Sequence, residues 1–493
     1  MSNKRIAQII LITFAIFALF ALGFWLRFDN LGEVDFQNDE YFHLDAATGY
    51  LKTGEFVLWD FLKEEPVTEY TRAYPYTYLV AITFSILETN EFAARLPSLI
   101  FGLLLFPLIY WIAYHLSKNH LVALASLILV VFEQALIWSS RISRMYSMFI
   151  FFFLLSSFLI FLGIEKKKIR WQYLVPGLIF LYVSYIVHES TLLVALGFFI
   201  YFLLNSIYEF FVKKNRKWNK YYILTLVFLA GLLAGGTVQF FIEPMVPDNY
   251  FELRADPNWE YLLYPVKQLR IQYFAWAVIL LGLFASWQWN RLRIFCYSMI
   301  LPVVLFFTFF AGRYPAKKYI LFIIPFVLIL YADAIYNILK KMLKNKTAIT
   351  IIFVVLILLT GPIYSWPGIT ENFAFQKART DWTYENAELH NFEESYKYIE
   401  DNYTFGEPVI IQGARTYYFT NPDLDLITFK KDKEYTKKEL KDIVESNETG
   451  WVVYPKYKEY HLRYKVKDYI KKRMKRVKDL NNTNVEVYRW SSK

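Results

Sequence analysis

Runs of about 20 apolar residues recur along this chain, as at 6–26 and 121–137, and continue past residue 360. Wound as helix, such a run matches the ~30 Å hydrocarbon core of a bilayer. A soluble domain has no use for so many of them, so a polytopic α-helical membrane protein is expected. Eleven spans are read, at about 6–26, 94–114, 121–139, 145–163, 172–188, 190–210, 221–242, 272–289, 294–311, 318–336 and 347–365. The mean hydropathy over 493 residues is only +0.27, so polar extramembrane parts must be attached. The only cysteine is Cys296, which excludes an intrachain disulfide and a cysteine-only metal cluster.

A net charge of +10 would suggest nucleic acid in a soluble protein. Here it follows the membrane. Lys and Arg accumulate on the cytoplasmic side of spans. Lys4 and Arg5, Lys118, Glu165 to Arg170, Lys213 to Lys220, Arg291 and Arg293, and Lys340 to Lys346 hold 18 basic residues and a single acid, Glu165. These segments alternate with the remaining gaps. The N-terminus is therefore expected inside and the C-terminus outside, in a plasma membrane of prokaryotic type, with no nucleic-acid partner. The apolar stretch 74–87 is short, aromatic and holds Pro75, and it reads as a helix lying in the outer interface. The first span is longer than a signal-peptide core, and Phe24-Trp25-Leu26-Arg27 is no cleavage site, so it reads as an anchor.

Three parts are expected outside. The first loop, 27–95, carries 13 acids and five bases. The second, 243–270, is acidic and holds Pro244, Pro247, Pro257 and Pro265. The third is the tail, 366–493, where 408–411 and 451–454 read as buried strands and 437–446 and 466–478 as helices. The expected domains are a transmembrane domain over 1–365 and a small α/β domain over 366–493.

Residues able to do chemistry gather at the outer ends. Asp39-Glu40 follows the first span closely, with His43 and Asp45 beyond it. A carboxylate there suits a general base, which must be ionised and reach the proton it removes; the alternative is a solvated pair in an acidic loop. Ser140-Arg141-Ile142-Ser143-Arg144-Met145-Tyr146 places two arginines three apart where the third span meets the fourth. They either snorkel to headgroups or hold an anion, since the guanidinium fork matches phosphate. His188-Glu189 occupies the next outer turn. Arg313-Tyr314-Pro315-Ala316-Lys317-Lys318 puts three bases where positive charge is disfavoured. Glu133 falls inside the third span, and an intramembrane carboxylate is a functional candidate by default.

The ordered set resembles a known family. Asp39-Glu40 comes first, then the 74–87 helix, then Glu91-Phe92-Ala93-Ala94-Arg95-Leu96-Pro97-Ser98 leading into Gly102, then Ser140-Arg141 through Arg144-Met145-Tyr146, and finally Lys318-Tyr319 running to Pro325. This is similar to the GT-C glycosyltransferases of the protein O-mannosyltransferase and aminoarabinose (lipid A) transferase type. The resemblance covers about 6–340 and is strongest over 35–150.

The resemblance implies a GT-C transmembrane domain of about 11 helices with an extracytoplasmic α/β domain. It implies transfer of a sugar from a polyprenyl-phosphate donor to an acceptor hydroxyl, with inversion, on the outer face. Asp39 would be the base and Glu40 would orient it. Arg95, Arg144, Lys318 and Arg313 would hold the donor phosphate, because leaving-group charge is best met by preorganised cations. His43, Glu69, Arg72, Arg141, Tyr146, His188 and Glu189 would line the substrate cavity. Two positions depart from the family pattern: Ile142 stands where an acid is common between the arginines, and Tyr74-Pro75 replaces a Pro-Pro step. A second carboxylate role would then fall to Glu133 or Glu189. The tail lacks the Trp-Trp-Asp motif of oligosaccharyltransferases and reads as accessory. A divalent metal ion near His188 is possible, though no spacing demands one. The competing reading is a transporter, which would place acids and broken helices at mid-membrane and repeat itself in two halves.

Overall fold

A computed structural model describes residues 3–33, 36, 39–61, 64–166, 168–214, 217, 219–241, 259, 278–281, 290–309, 317–363, 365–366, 392–412, 424–429, 437–455, 464–477, 480 and 485–491. The chain forms two compact units. One comprises Met1–Asp29, Arg72–Tyr76 and Arg95–Thr370; the other comprises Asn30–Thr71, Thr77–Ala94 and Glu371–Lys493. The division therefore does not follow the boundary at 366 read from the sequence: much of the first loop belongs with the tail.

The first unit is a helical bundle. Helices α1 (Asn3–Phe28), α4 (Glu91–Ser117), α5 (His120–Val131), α6 (Gln134–Ser140), α7 (Tyr146–Glu165), α8 (Trp171–Val187), α9 (Leu193–Ile207) and α10 (Lys220–Phe241) precede three more, Arg291–Phe309, Ile324–Met342 and Lys346–Thr360. Helices α2 (Glu40–Thr53) and α3 (Tyr74–Leu87) lie between α1 and α4 in sequence. Among the described residues six helices are long and apolar enough to cross a bilayer, or seven if α5 and α6 count as one span. Trp171–Val187 and Lys346–Thr360 are shorter apolar helices. The expected span 272–289 is described only at 278–281, and the second loop only at Trp259, so both lie essentially outside the described residues. The 14 residues of α3 make a helix of about 21 Å, shorter than a hydrocarbon core. Tyr74, Tyr78, Ile82 and Ile86 form an exposed stripe along it at a spacing of four.

Close approach holds the bundle. Lipid is as apolar as leucine, so helices associate through tight packing of small residues. Gly163 of α7 meets the Leu174 backbone, and Gly177 of α8 meets Ile160; a Cβ at either would lie 2.9 Å from its neighbour. At the end with the basic clusters, Lys220 donates to the carbonyls of Ile164, Glu165 and Lys166 at 2.6, 2.8 and 2.7 Å, capping α7. Arg291 bridges Glu165 and Glu209 at 3.4 and 3.5 Å.

Deeper in, Arg293 pairs with Asp333 through Nε at 2.8 Å and Nη2 at 2.7 Å, and Asn337 donates to the same carboxylate at 3.0 Å. Both members of the pair are buried.

One span differs from its expected form. The segment 121–139 is two helices, α5 and α6, bent by 61°. No proline causes this. Glu133 instead turns to extended backbone and caps α6, its carboxylate accepting from the Ala135 amide at 3.4 Å.

In the second unit, a five-stranded sheet runs in the order β4-β3-β5-β7-β6. Its strands are β3 (Pro408–Gln412), β4 (Asp425–Phe429), β5 (Thr449–Pro455), β6 (Lys475–Arg476) and β7 (Val485–Ser491). β3 is parallel to β4 and β5, whereas β7 is antiparallel to β5 and β6. Alternation along the strands gives two cores. Val409, Ile411, Trp451 and Val453 pack with Tyr396 and Ile399 of Phe392–Asn402. Ile410, Val452 and Tyr454 pack on the other face with Leu440 of Lys437–Ser446 and with Val466 and Ile470 of Tyr464–Arg473. The helix expected over 466–478 stops at Arg473. Met474 turns inward to the core, and Lys475–Arg476 pairs with β7 as strand. The first loop contributes a hairpin, β1 (Val57–Asp60) with β2 (Glu65–Glu69), whose Phe61 packs against the first of these cores.

Glu407 ties this sheet together. It accepts from Trp451 Nε1 and Arg489 Nη2, each at 2.8 Å, and from the Thr404 amide at 3.2 Å. Burial alone would raise its carboxyl, but hydrogen bonds from Thr449, Trp451, Arg489 and Thr404 outweigh it and hold the pKa below the ordinary carboxylate value. The folded form is thus favoured by ionisation. That stabilisation is complete above the unfolded pKa and is lost as pH falls through the lowered folded one.

Two measurements check these contacts. Hydrogen-exchange protection of the β5 and β7 amides should fall on acidification below about pH 4, and Glu407→Gln should abolish most of that pH dependence while costing about 2 kcal/mol near neutrality. In the bundle, Asp333→Leu should cost about 3–5 kcal/mol by stranding a buried guanidinium, whereas adding Arg293→Met to it should restore most of the thermal stability in detergent.

Candidate active site

Each unit carries one part of the expected chemistry. In the second unit, Asp39 is the N-cap of α2, but its side chain makes no cap hydrogen bond, so the half-buried carboxylate is not tied to the helix's own amides. Glu40 is the first residue of the helix and is 3 % exposed. The helix N-terminus supplies positive partial charge beside both. His43, one turn on, is fully buried; its Nδ1 shares a 2.9 Å hydrogen bond with Thr77 Oγ1, and its ring sits edge-on to Tyr70 at 5.7 Å. Asp45 is buried too. Gly49 lets α2 close on β1: a Cβ there would lie 2.0 Å from the Val57 carbonyl oxygen.

In the first unit, Arg95 and Ser98 are three residues apart and share a face of α4. Ser98 donates to the Arg144 carbonyl at 3.0 Å and shares a 2.7 Å hydrogen bond with Tyr76. Arg95 and Arg144 are each 3 % exposed. Arg141 donates to the Leu26 carbonyl at 3.3 Å. Burial and the neighbouring Arg95 guanidinium push the Arg141 pKa down to about 10, against a smaller opposing pull from Asp29. It stays charged at neutral pH. Like charges drawn out of water this way would be relieved by an anion. The Arg144 guanidinium carbon lies 5.7 Å from the centre of the Tyr146 ring, which stacks on Trp138 at 6.0 Å.

Several expected residues have other employment. His188 ends α8 and is 7 % exposed; its Nδ1 accepts from the Ser190 amide at 3.1 Å, which places the ring proton on Nε2, and it stacks on Phe149 at 4.7 Å. It caps the 3-10 turn Glu189–Leu192. Glu189 is exposed, as are Glu69 at the end of β2 and Arg72 in the turn before α3. The next residue in that turn, Ala73, is buried in the left-handed region at φ 52, a strain of about 1–2 kcal/mol ahead of Tyr74-Pro75. Lys318 lies in the 3-10 helix Lys317–Ile323, with its side chain outside the described residues, and Arg313 lies outside them altogether. Among the described residues no three His, Cys, Asp or Glu side chains converge as a metal site. Tyr76, Thr77 and Ser98 were not legible as site supports, because ordinary helical hydroxyls carry no sequence signal of their partners.

The fold matches that of known enzymes. Residues 67–175 match the family described as Dolichyl-phosphate-mannose-protein mannosyltransferase. The structure is similar to ArnT from Cupriavidus metallidurans in the apo state, with 10% identity and TM-score 0.60 over 99% of both chains. It is similar to the same protein bound to undecaprenyl phosphate, with 11% identity and TM-score 0.58 over 98% of both chains. It also resembles the Archaeoglobus fulgidus oligosaccharyltransferase tethered to an acceptor peptide, with 11% identity and TM-score 0.58 over 90% of this chain and 69% of that one. No curated protein matches by sequence. The chain is an integral membrane protein with the fold of the GT-C glycosyltransferases.

The arginine cluster depends on how closely α4 meets α6. At Gly102 a Cβ would fall 2.2 Å from Ser140 Oγ and 2.6 Å from its Cβ. Gly102→Ala must displace the end of α6, and should cost about 1–3 kcal/mol, read as a lowered unfolding temperature in detergent.

Proposed function

We propose that the protein transfers a sugar from a polyprenyl phosphate to an acceptor hydroxyl, on the extracytoplasmic face of a prokaryotic plasma membrane, with its N-terminus cytoplasmic. The observation that carries this reading is the pair of buried arginines, Arg95 and Arg144, with the half-buried Arg141 next to Arg95, on a GT-C fold. Undecaprenyl phosphate bound to the similar ArnT supports a lipid-phosphate ligand. The Asp39 carboxylate takes the acceptor's proton, and the freed oxygen attacks the anomeric carbon from the side opposite the phosphate. The bond from that carbon to the phosphate oxygen breaks, and its electron pair leaves on polyprenyl phosphate. Inversion follows from the single displacement. Glu40 orients the base, and the arginines, with Lys318 and Arg313, meet the charge that develops on the leaving phosphate. The acceptor is a hydroxyl of protein, lipid or glycan, and the sugar is a hexose or a pentose.

The test supplies purified protein with radiolabelled polyprenyl-phosphate sugars and follows label into acceptors. Asp39→Asn should lower turnover by ~10²–10⁴-fold while donor binding persists. If the wild-type protein consumes no donor, and Asp39→Asn leaves the cell's glycoconjugates unchanged, the transferase reading fails and the transporter reading gains. Parallel reactions with and without chelator decide whether a divalent ion takes part.

A further inference from the structure

The break between α5 and α6 raises a problem of backbone chemistry. A helix end leaves carbonyls without amide partners, and in a bilayer no water replaces them. The Phe132 amide takes the Ile128 carbonyl at 3.2 Å, and the Glu133 amide reaches Val130 at 3.4 Å. The remaining need is met from another helix. Arg27, one residue from the end of α1, is 1 % exposed. Its Nη1 donates to Val131 at 3.1 Å and to Gly23 of its own helix at 3.2 Å, and its Nη2 donates to Val130 at 3.2 Å. The guanidinium carbon lies 4.7 Å from the centre of the Phe106 ring of α4. A cation thus sits at the C-terminus of α5 and a carboxylate, Glu133, at the N-terminus of α6, the polarity that both helix dipoles favour. The same turn of α1 then receives the far end of α6, because Arg141 donates to the Leu26 carbonyl.

We infer that Arg27 is a positioning residue for the phosphate site. It fixes the 61° bend so that the end of α6 delivers Arg141 beside Arg95 and the Arg144 backbone onto Ser98 of α4. It does so through Val130 and Val131 and touches no substrate. The phosphate part of this inference rests on the proposed function; the positioning part does not.

The variant of choice is Arg27→Lys, which keeps the charge but not the fork that reaches two carbonyls. Two readouts separate the parts. In hydrogen exchange on the purified protein, R27K should raise exchange at least ten-fold at the amides of residues 132–145, while α7, α8 and the sheet of the second unit stay as in wild type. In steady-state turnover, R27K should raise the KM for the polyprenyl-phosphate sugar about ten-fold, with kcat changed less than three-fold and the acceptor KM unmoved. Direct titration with undecaprenyl phosphate should show the same ten-fold weakening, and Arg27→Gln should weaken it further. Altered exchange with no lipid-phosphate binding by wild type would uphold the positioning role and overturn the phosphate reading. Wild-type binding with unaltered exchange and KM in R27K would overturn the inference and leave the proposed function standing. Failure of R27K to accumulate as folded protein, or a loss of active fraction with both KM values unchanged, would also overturn it in favour of a general folding role.

Discussion

Everything at the arginine cluster depends on one interruption of hydrogen bonding. A continuous helix satisfies its own backbone and needs nothing from its neighbours, whereas a bent span must find donors and acceptors elsewhere in the protein. Here they come from Arg27 on one side of the bend and Glu133 on the other. The chain accepts a difficult local geometry, and after the bend the segment from Ser140 to Arg144 carries Arg141 next to Arg95 and the Arg144 carbonyl onto Ser98. Ser98, Gly102 and Leu26 then hold that segment from two further helices.

This arrangement gives Glu133 a structural task. An acid within an apolar run is a functional candidate on energetic grounds, yet its observed task is to end one helix and begin the next. Arg293 and Asp333 answer the same cost differently, by pairing with each other and with Asn337. The first is a local contact within one bent span, whereas the second joins two separate helices.

Much of the fold was legible from periodicity and charge. Among the described residues six expected spans coincide with helices long and apolar enough to cross a bilayer, and 408–411 and 451–454 became β3 and β5 because buried strands carry unbroken apolar runs. The 61° bend was hidden: Glu133 and Gln134 interrupt the apolar run, but no proline or glycine marks a break there, and the Arg27 that meets the Val131 carbonyl lies 104 residues away. The strands β4 and β6 were hidden for a related reason: both lie at edges of the sheet and β6 is two residues long, while β7, which is internal, alternates apolar and polar residues. Of the site, Asp39, Glu40, Arg95, Arg141 and Arg144 were readable as charges in unusual places. The hydroxyls that set them were not, and neither was the use of His188 as a cap, since a histidine's partner is decided by packing rather than by its neighbours in sequence.

The hairpin of β1 and β2 ends on Phe61, which rests against a core built from Phe392, Trp451 and Val487. The hairpin's apolar anchor is therefore supplied by residues far along the chain from it. Until β7 is made, the loop that carries Asp39 and Glu40 lacks the apolar surface on which its hairpin settles. The loop and the sheet are thus expected to gain and lose order together, as one cooperative unit.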